Sequence, residues 1–196
     1  MNLGHSGLTK WGLELIDIAS DAHVLDVGCG GGRTVQRLAR IASGGRVVGI
    51  DYSPDAVAVA KKKNRELIDE GRVEIRQEAV SSMSFSDGTF DLVTAFESHQ
   101  CWPDLRNDLK EVHRVTKQNG QLLIAGALYK NERFDRRNQR IVDSSGMTCL
   151  SIEELRELLE DAGFSGFDAR EQEKKGWFAV KCTKGGDGIA SEPSSS

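Results

Sequence analysis

Val24-Leu25-Asp26-Val27-Gly28-Cys29-Gly30-Gly31-Gly32 decides the fold. An apolar run ends in an acid and breaks into glycines. Thr34-Val35-Gln36-Arg37-Leu38-Ala39 then follows with helical periodicity. This reads as a buried strand, a tight turn, and a helix whose N-terminus faces the turn. Glycine is required where the backbone takes positive φ or must touch a ligand. A helix N-terminus adds free N–H groups and partial positive charge, so the turn suits an anionic or polar ligand.

Arg46-Val47-Val48-Gly49-Ile50-Asp51 is a second buried strand ending in an acid. Asp51 follows the first glycine turn by roughly the ~20 residues expected of a ribose-binding carboxylate. Such an acid accepts hydrogen bonds from two vicinal hydroxyls and repels a 2′-phosphate. The dinucleotide fingerprint G-x-G-x-x-G fails, because its sixth position, counted from Gly28, is Arg33. That failure, and the lack of a separate catalytic domain, make a nicotinamide dehydrogenase a poor reading. A helix from Leu8 to Ala19 precedes the first strand. Ser53-Pro54 opens another, with Ser as cap and Pro at its first position, running through Asp55–Glu70 to Gly71. Val73–Arg76, Phe90–Ala95 and Gln121–Ala127 are further strands. Leu105–Val115 is a helix, and Tyr129–Val142 is partly helical. Ser151-Ile152-Glu153-Glu154 is a capping box that opens a helix to Ala162. Phe167–Glu171 and Trp177–Cys182 make a closing antiparallel pair. Alternating strands and helices predict an α/β fold: a Rossmann-like doubly wound sheet, mostly parallel, with an antiparallel C-terminal edge hairpin and helices on both faces. Ligands on such sheets lie at the carboxyl ends of the strands.

These motifs resemble those of the class I S-adenosylmethionine-dependent methyltransferases, over about Val24 to Cys182. Val24–Gly32 resembles the first motif, and Ile50-Asp51-Tyr52-Ser53 the ribose motif. Phe85-Ser86-Asp87-Gly88-Thr89-Phe90-Asp91-Leu92-Val93 resembles the entry to the fourth strand. Leu109–Ile124 resembles the helix, turn and fifth strand. There Gln118-Asn119-Gly120 replaces the usual Pro-Gly-Gly, a mild departure because Asn tolerates left-handed geometry. Within the family the pattern is similar to the small-molecule enzymes, including those of quinone biosynthesis.

The resemblance implies S-adenosylmethionine as cofactor, S-adenosylhomocysteine as product and a small-molecule methyl acceptor. It implies that Gly28, Cys29 and Gly30 approach the amino-acid end of the cofactor. Asp26 positions that turn or meets the cofactor's ammonium through water, Asp51 holds the ribose, and Tyr52 lies along the adenine. The family often has Gly-Asp-Ala after the third strand. Here Glu78-Ala79-Val80 puts Ala79 on the acidic position, which leaves backbone around Ala79 and Val80 to read the adenine edge. Phe96-Glu97-Ser98-His99-Gln100-Cys101-Trp102 runs beside the sulfonium and acceptor. Phe96 and Trp102 are cofactor contacts, and His99 and Glu97 are candidate bases, although a lone loop histidine is more often structural. His5, Trp11, Tyr129 and Arg133 are candidate acceptor contacts. Arg133 and Arg136-Arg137 otherwise read as a solvated face. The alternative from another class is a non-catalytic S-adenosylmethionine sensor or partner subunit, distinguished by whether an acceptor cavity forms beside the methyl group.

The chain has 196 residues and a net charge of −4. Length predicts one domain, which the resemblance makes a methyltransferase domain over 1–184, with 1–20 as a helical lid; the Gly/Ser-rich 185–196 reads as a disordered tail. The charge gives no nucleic-acid footprint. No apolar run approaches the ~20 residues of a membrane span, and the N-terminus lacks a signal peptide's pattern. The four cysteines are scattered without a Cys-x-x-Cys pair, which argues for a reducing, cytoplasmic setting and no metal site. Such a chain is expected to be a monomer or homodimer.

Overall fold

The computed structural model describes residues 5–185, without the side chains of residues 5 and 6. The expected tail therefore lies outside the described residues except for Gly185, and so does the His5 side chain. Seven strands form one sheet: β1 (His23–Val27), β2 (Arg46–Asp51), β3 (Val73–Gln77), β4 (Phe90–Phe96), β5 (Thr116–Gly126), β6 (Phe164–Gln172) and β7 (Trp177–Lys184). Their order is β3-β2-β1-β4-β5-β7-β6. The first five pair in parallel, and β7 pairs antiparallel with both β5 and β6.

Side chains alternate across a strand, so each strand feeds two cores. Leu25, Val27, Val48, Ile50, Val93, Ala95, Leu122 and Ile124 face one way. They pack with Leu109 and Val112 of α5 (Leu105–Val115) and Leu155 and Leu159 of α7 (Ile152–Asp161). Val24, Val47, Leu92, Leu123 and Ala125 face the other way. They meet Leu8 of α1 (His5–Leu13), Val35 and Leu38 of α2 (Arg33–Ile41) and Val57 and Ala60 of α3 (Pro54–Lys63). The doubly wound reading holds. Its switch point is β1, whose neighbours β2 and β4 lead the chain in opposite directions. The crevice beyond the carboxyl ends of β1 and β4 is where such sheets bind ligands.

Three local expectations change. The first helix stops at Leu13 rather than Ala19. The helix expected through Glu70 breaks at Asn64 into α3 and α4 (Arg65–Asp69). Asn64 is buried, and its Nδ2 donates to Gly32 O at 3.0 Å and Ala60 O at 2.9 Å. The break therefore ties α3 to the glycine turn, an interaction that outweighs helix continuity. The Gln118-Asn119-Gly120 turn lies inside β5, where the register against β4 shifts between Phe90 and Leu92. Asn119 takes φ 61°, the left-handed geometry expected of it. Elsewhere the caps form as read. Ser53 Oγ accepts from Ala56 N at 3.3 Å. Ser151 and Glu154 close a reciprocal box, with Ser151 N to Glu154 Oε2 at 2.7 Å and Glu154 N to Ser151 Oγ at 3.1 Å. The polar stretch after β5 holds a short 3-10 turn, Glu132–Phe134, and then α6 (Asp135–Ser145). No helix among the described residues is long and apolar enough to cross a membrane.

Candidate functional site

The glycine turn is fixed from beneath. Gly28 N and Cys29 N both donate to Ile50 O at 2.9 Å. Gly30 N donates to Asp51 Oδ2 at 2.9 Å, and Ser53 N to Asp51 Oδ1 at 2.9 Å. Asp51 thus joins the ends of β1 and β2. An ionised carboxylate offers about four acceptor directions. Two are used, by Gly30 N and Ser53 N, and two are left.

Gly28 and Gly30 have φ 73° and 52°. A Cβ at Gly28 would overlap Ser98, so the turn and the loop after β4 touch there. A Cβ at Gly30 would meet nothing within 4 Å, although Gly30 borders both lobes of the crevice. The bare backbone keeps that space open for a ligand. Gly30→Ala is expected to fold, at a cost of roughly 1–2 kcal/mol for left-handed geometry. It should weaken binding at this crevice by more than about tenfold through steric occlusion. Thermal melts and calorimetry on the same variant separate the two effects.

The crevice has two lobes that share Gly28, Gly30 and Glu97 as walls. The smaller, about 400 Å³, contains Asp51, Tyr52, Ala79, Val80 and Trp102. Tyr52 is 75% exposed and lies at its rim, while Trp102 is buried. Glu78 borders this lobe, but its carboxylate accepts from Ser84 N at 3.1 Å and Ser84 Oγ at 2.7 Å. It closes its own loop, which fits the reading that backbone rather than an acid addresses this edge.

The larger lobe, about 640 Å³, contains Asp26, Cys29, Phe96, Glu97 and Gln100, with Thr9 of α1 and Arg137, Ile141 and Met147 above. Asp26 is 1% exposed; Oδ1 accepts from Thr94 Oγ1 at 2.7 Å, while Oδ2 has no hydrogen-bond partner. Burial, with a smaller contribution from Asp51, pushes its carboxyl up to about 7. A buried, orphaned carboxylate oxygen in a cavity wall is a socket for a cation. Burial also pushes the Cys29 thiol up, so it is a neutral packing group. Glu97 takes φ 55°, an unfavourable left-handed conformation for a non-glycine residue. Its N–H donates to Ala125 O at 2.9 Å, which holds the carboxylate over both lobes. Strain of this kind collects at functional sites.

Gln100 carries no signal in the sequence that marks it as a site residue. It is 6% exposed, and its Nε2 lies 3.5 Å from Glu97 Oε2. Its Oε1 is buried without a hydrogen-bond partner. Its backbone carbonyl accepts from Thr148 N at 2.9 Å, which draws the segment bearing Met147 over the lobe. Only its place after β4 could have flagged it.

Four expected acceptor or base residues are not brought to the crevice. His99 is 4% exposed and packs edge-on against Phe178, with ring centroids 5.6 Å apart. Burial alone lowers its pKa to about 4, so it is neutral and inside the core rather than a base at the cavity wall. Tyr129 is buried against Phe178; its hydroxyl donates to Glu171 at 2.8 Å and accepts from Asn131 at 2.7 Å. Trp11 leans on Trp177, centroids 6.1 Å apart, away from both lobes. Arg133 borders a neighbouring cavity instead.

A histidine held at about 4 in the folded chain and near 6.5 when unfolded contributes stability above pH 6.5 and loses it as pH falls toward 4. The full effect is about 3 kcal/mol. His99→Phe should flatten this acid arm relative to wild type and leave ligand binding at the crevice intact. Melting curves across that range, with parallel titrations, check both parts.

The chain belongs to the methyltransferase domain family, whose model matches residues 25–124. Over 120 residues it is 34% identical to the demethylmenaquinone methyltransferase of Lactiplantibacillus plantarum, covering 61% of this chain and 51% of that protein. The chain spans about half the length of the curated relatives it matches. Its fold is similar to that of a protein assigned as a methyltransferase and solved with the Haloferax volcanii Trm112 methyltransferase activator. The TM-score is 0.80 at 21% identity, with 93% and 91% of the two chains covered. It is also similar to SpnF, a [4+2]-cyclase, with a TM-score of 0.78 at 22% identity and 91% and 81% covered. At these identities the likeness carries the fold alone, and activity must be argued from the site.

Proposed function

We propose that the chain binds S-adenosylmethionine across the two lobes and transfers its methyl group to a small-molecule acceptor in the larger one. The observation that carries this is an orphaned Asp26 Oδ2 in one lobe and an Asp51 with acceptor capacity to spare in the other, with the bare backbone of Gly28 and Gly30 bordering both. An ammonium at one end and vicinal hydroxyls at the other match that donor set. Adenine lies in the smaller lobe against Ala79, Val80 and Trp102, with Tyr52 at the rim. When bound, S-adenosylmethionine supplies a methyl group already activated by a sulfonium. The chain's own task is alignment and exclusion of water, and orientation supplies ~7–11 kcal/mol in well-placed reactions. Thr9 places α1 over the larger lobe, where it acts as a lid. Glu97 is the base where the acceptor must lose a proton. Gln100 offers Oε1 to an O–H or N–H of the acceptor.

The open larger lobe supports an enzyme over a sensor, in which a loop would fill that space. The four cysteines, all free, suit a reducing cytoplasm. The test is transfer of labelled methyl from S-adenosylmethionine to compounds in a small-molecule extract. A labelled product that needs the protein supports the reading; cofactor binding with no labelled product from any acceptor class favours the sensor. Once an acceptor is found, Gln100→Ala should raise its KM by about tenfold, the worth of one buried hydrogen bond. Cofactor affinity should change little. An unchanged KM would remove Gln100 from acceptor binding.

A further inference from the structure

α6 and the 3-10 turn before it carry a cluster of arginines with no part in holding the cofactor. Arg133, Arg136, Arg137 and Arg140 border one cavity of about 630 Å³, together with Glu132, Phe134 and Ile141. Arg136, Arg137 and Arg140 lie within one turn and a half of α6, so Arg136 and Arg137 both neighbour Arg140 on its surface, and the 3-10 turn just before the helix adds Arg133 to the same cavity. Among the described residues none of the four is in an ion pair, whereas Arg76, Arg106, Arg114 and Arg156 each hold a carboxylate. Four cations against the single carboxylate of Glu132 leave the cavity strongly positive. Arg137 and Ile141 also border the larger lobe of the crevice, so the two spaces adjoin.

Two of the guanidinium groups are held in place. Arg137 lies 4.6 Å and Arg133 5.9 Å from the centroid of the Phe134 ring. Arg137 also donates to Ala127 O at 2.6 Å and to Asn138 Oδ1 at 2.8 Å. Asn138 is itself buried and bonds Tyr129 O at 2.6 Å. Arg137 is thereby fixed to the end of β5, at the boundary between the cavities. Planar guanidinium forks suit phosphate and carboxylate oxygens.

We infer that the acceptor is bipartite and carries an anionic group, phosphate or carboxylate, which Arg133, Arg136, Arg137 and Arg140 hold while its nucleophile reaches Glu97 and Gln100. This rests on the methyl-transfer reading and narrows its substrate class. The cavity adjoins the reaction lobe across Arg137 and Ile141, which favours a small molecule anchored beside that lobe over a lipid surface.

The experiment uses the full chain, with inorganic diphosphate as probe in calorimetry at matched ionic strength. S-Adenosylhomocysteine is titrated separately, and vesicles with and without phosphatidylglycerol form a third arm. Submillimolar diphosphate binding, at least tenfold weaker in Arg136→Ala/Arg140→Ala, with S-adenosylhomocysteine binding equal in both proteins, supports the inference. Diphosphate binding without S-adenosylhomocysteine binding keeps the anion site and removes the cofactor reading. No diphosphate binding, or equal binding by the variant, overturns the inference. Binding to anionic vesicles but not to diphosphate also overturns it and makes α6 a membrane-facing surface.

Discussion

Asp51→Ala is expected to eliminate measurable S-adenosylhomocysteine binding. The carboxylate has two acceptor directions left after Gly30 N and Ser53 N are served. Each charge-assisted hydrogen bond to a ribose hydroxyl is worth about 1.5–3 kcal/mol. Losing two costs roughly 3–6 kcal/mol, on the order of a hundredfold to ten-thousandfold in affinity. The same variant frees two backbone N–H groups, so its melting temperature should fall as well. Asp51→Asn keeps an acceptor oxygen but turns an amide toward one of those N–H groups, and should bind with intermediate affinity. Affinity of Asp51→Ala within about threefold of wild type would remove the ribose assignment.

Asp26→Asn should lower cofactor affinity and at the same time stabilise the empty protein at alkaline pH. The wild-type carboxyl is held at about 7 in the fold and near 3.8 when unfolded. The stability of the empty chain therefore falls as pH rises from 3.8 to 7, by on the order of 4 kcal/mol. Asparagine removes that penalty, although the new amide takes the unpartnered position of Oδ2, which costs about 1–3 kcal/mol. The net gain is roughly 1–3 kcal/mol above neutral pH. Binding an ammonium needs the ionised form. Wild-type affinity should rise about tenfold between about pH 6 and about pH 8, and that slope should vanish in Asp26→Asn. A variant that binds as tightly as wild type with the same slope would assign the pH dependence to another group. His99 acts in the opposite direction over the same acid range, so each stability arm is read from its own single variant.

The sheet is legible because its central strands are apolar runs and two of them, β1 and β2, also carry an acid at the carboxyl end. Asp26 and Asp51 mark where β1 and β2 deliver side chains to the crevice, and the glycine spacing marks the turn between them. The capping box at Ser151 likewise needs only local chemistry. What was hidden depends on which way a side chain turns within irregular backbone. His99 and Gln100 are neighbours in one 3-10 turn, yet His99 goes into the core on Phe178 and Gln100 into the lobe. No periodicity distinguishes them. Tyr129 packs inward on Phe178 while its hydroxyl bonds Glu171, 42 residues away in sequence, and the break at Asn64 answers to Gly32, 32 residues away. Arg133 reads from the sequence as part of a charged, solvated face, but its cavity exists only once α6 folds beside the crevice.

The most direct measurement is a calorimetric titration of the purified protein with S-adenosylmethionine, S-adenosylhomocysteine and NAD. The account predicts micromolar binding of both adenosyl compounds and none of NAD. Absence of binding to either adenosyl compound would contradict it, leaving a methyltransferase fold whose crevice serves another ligand.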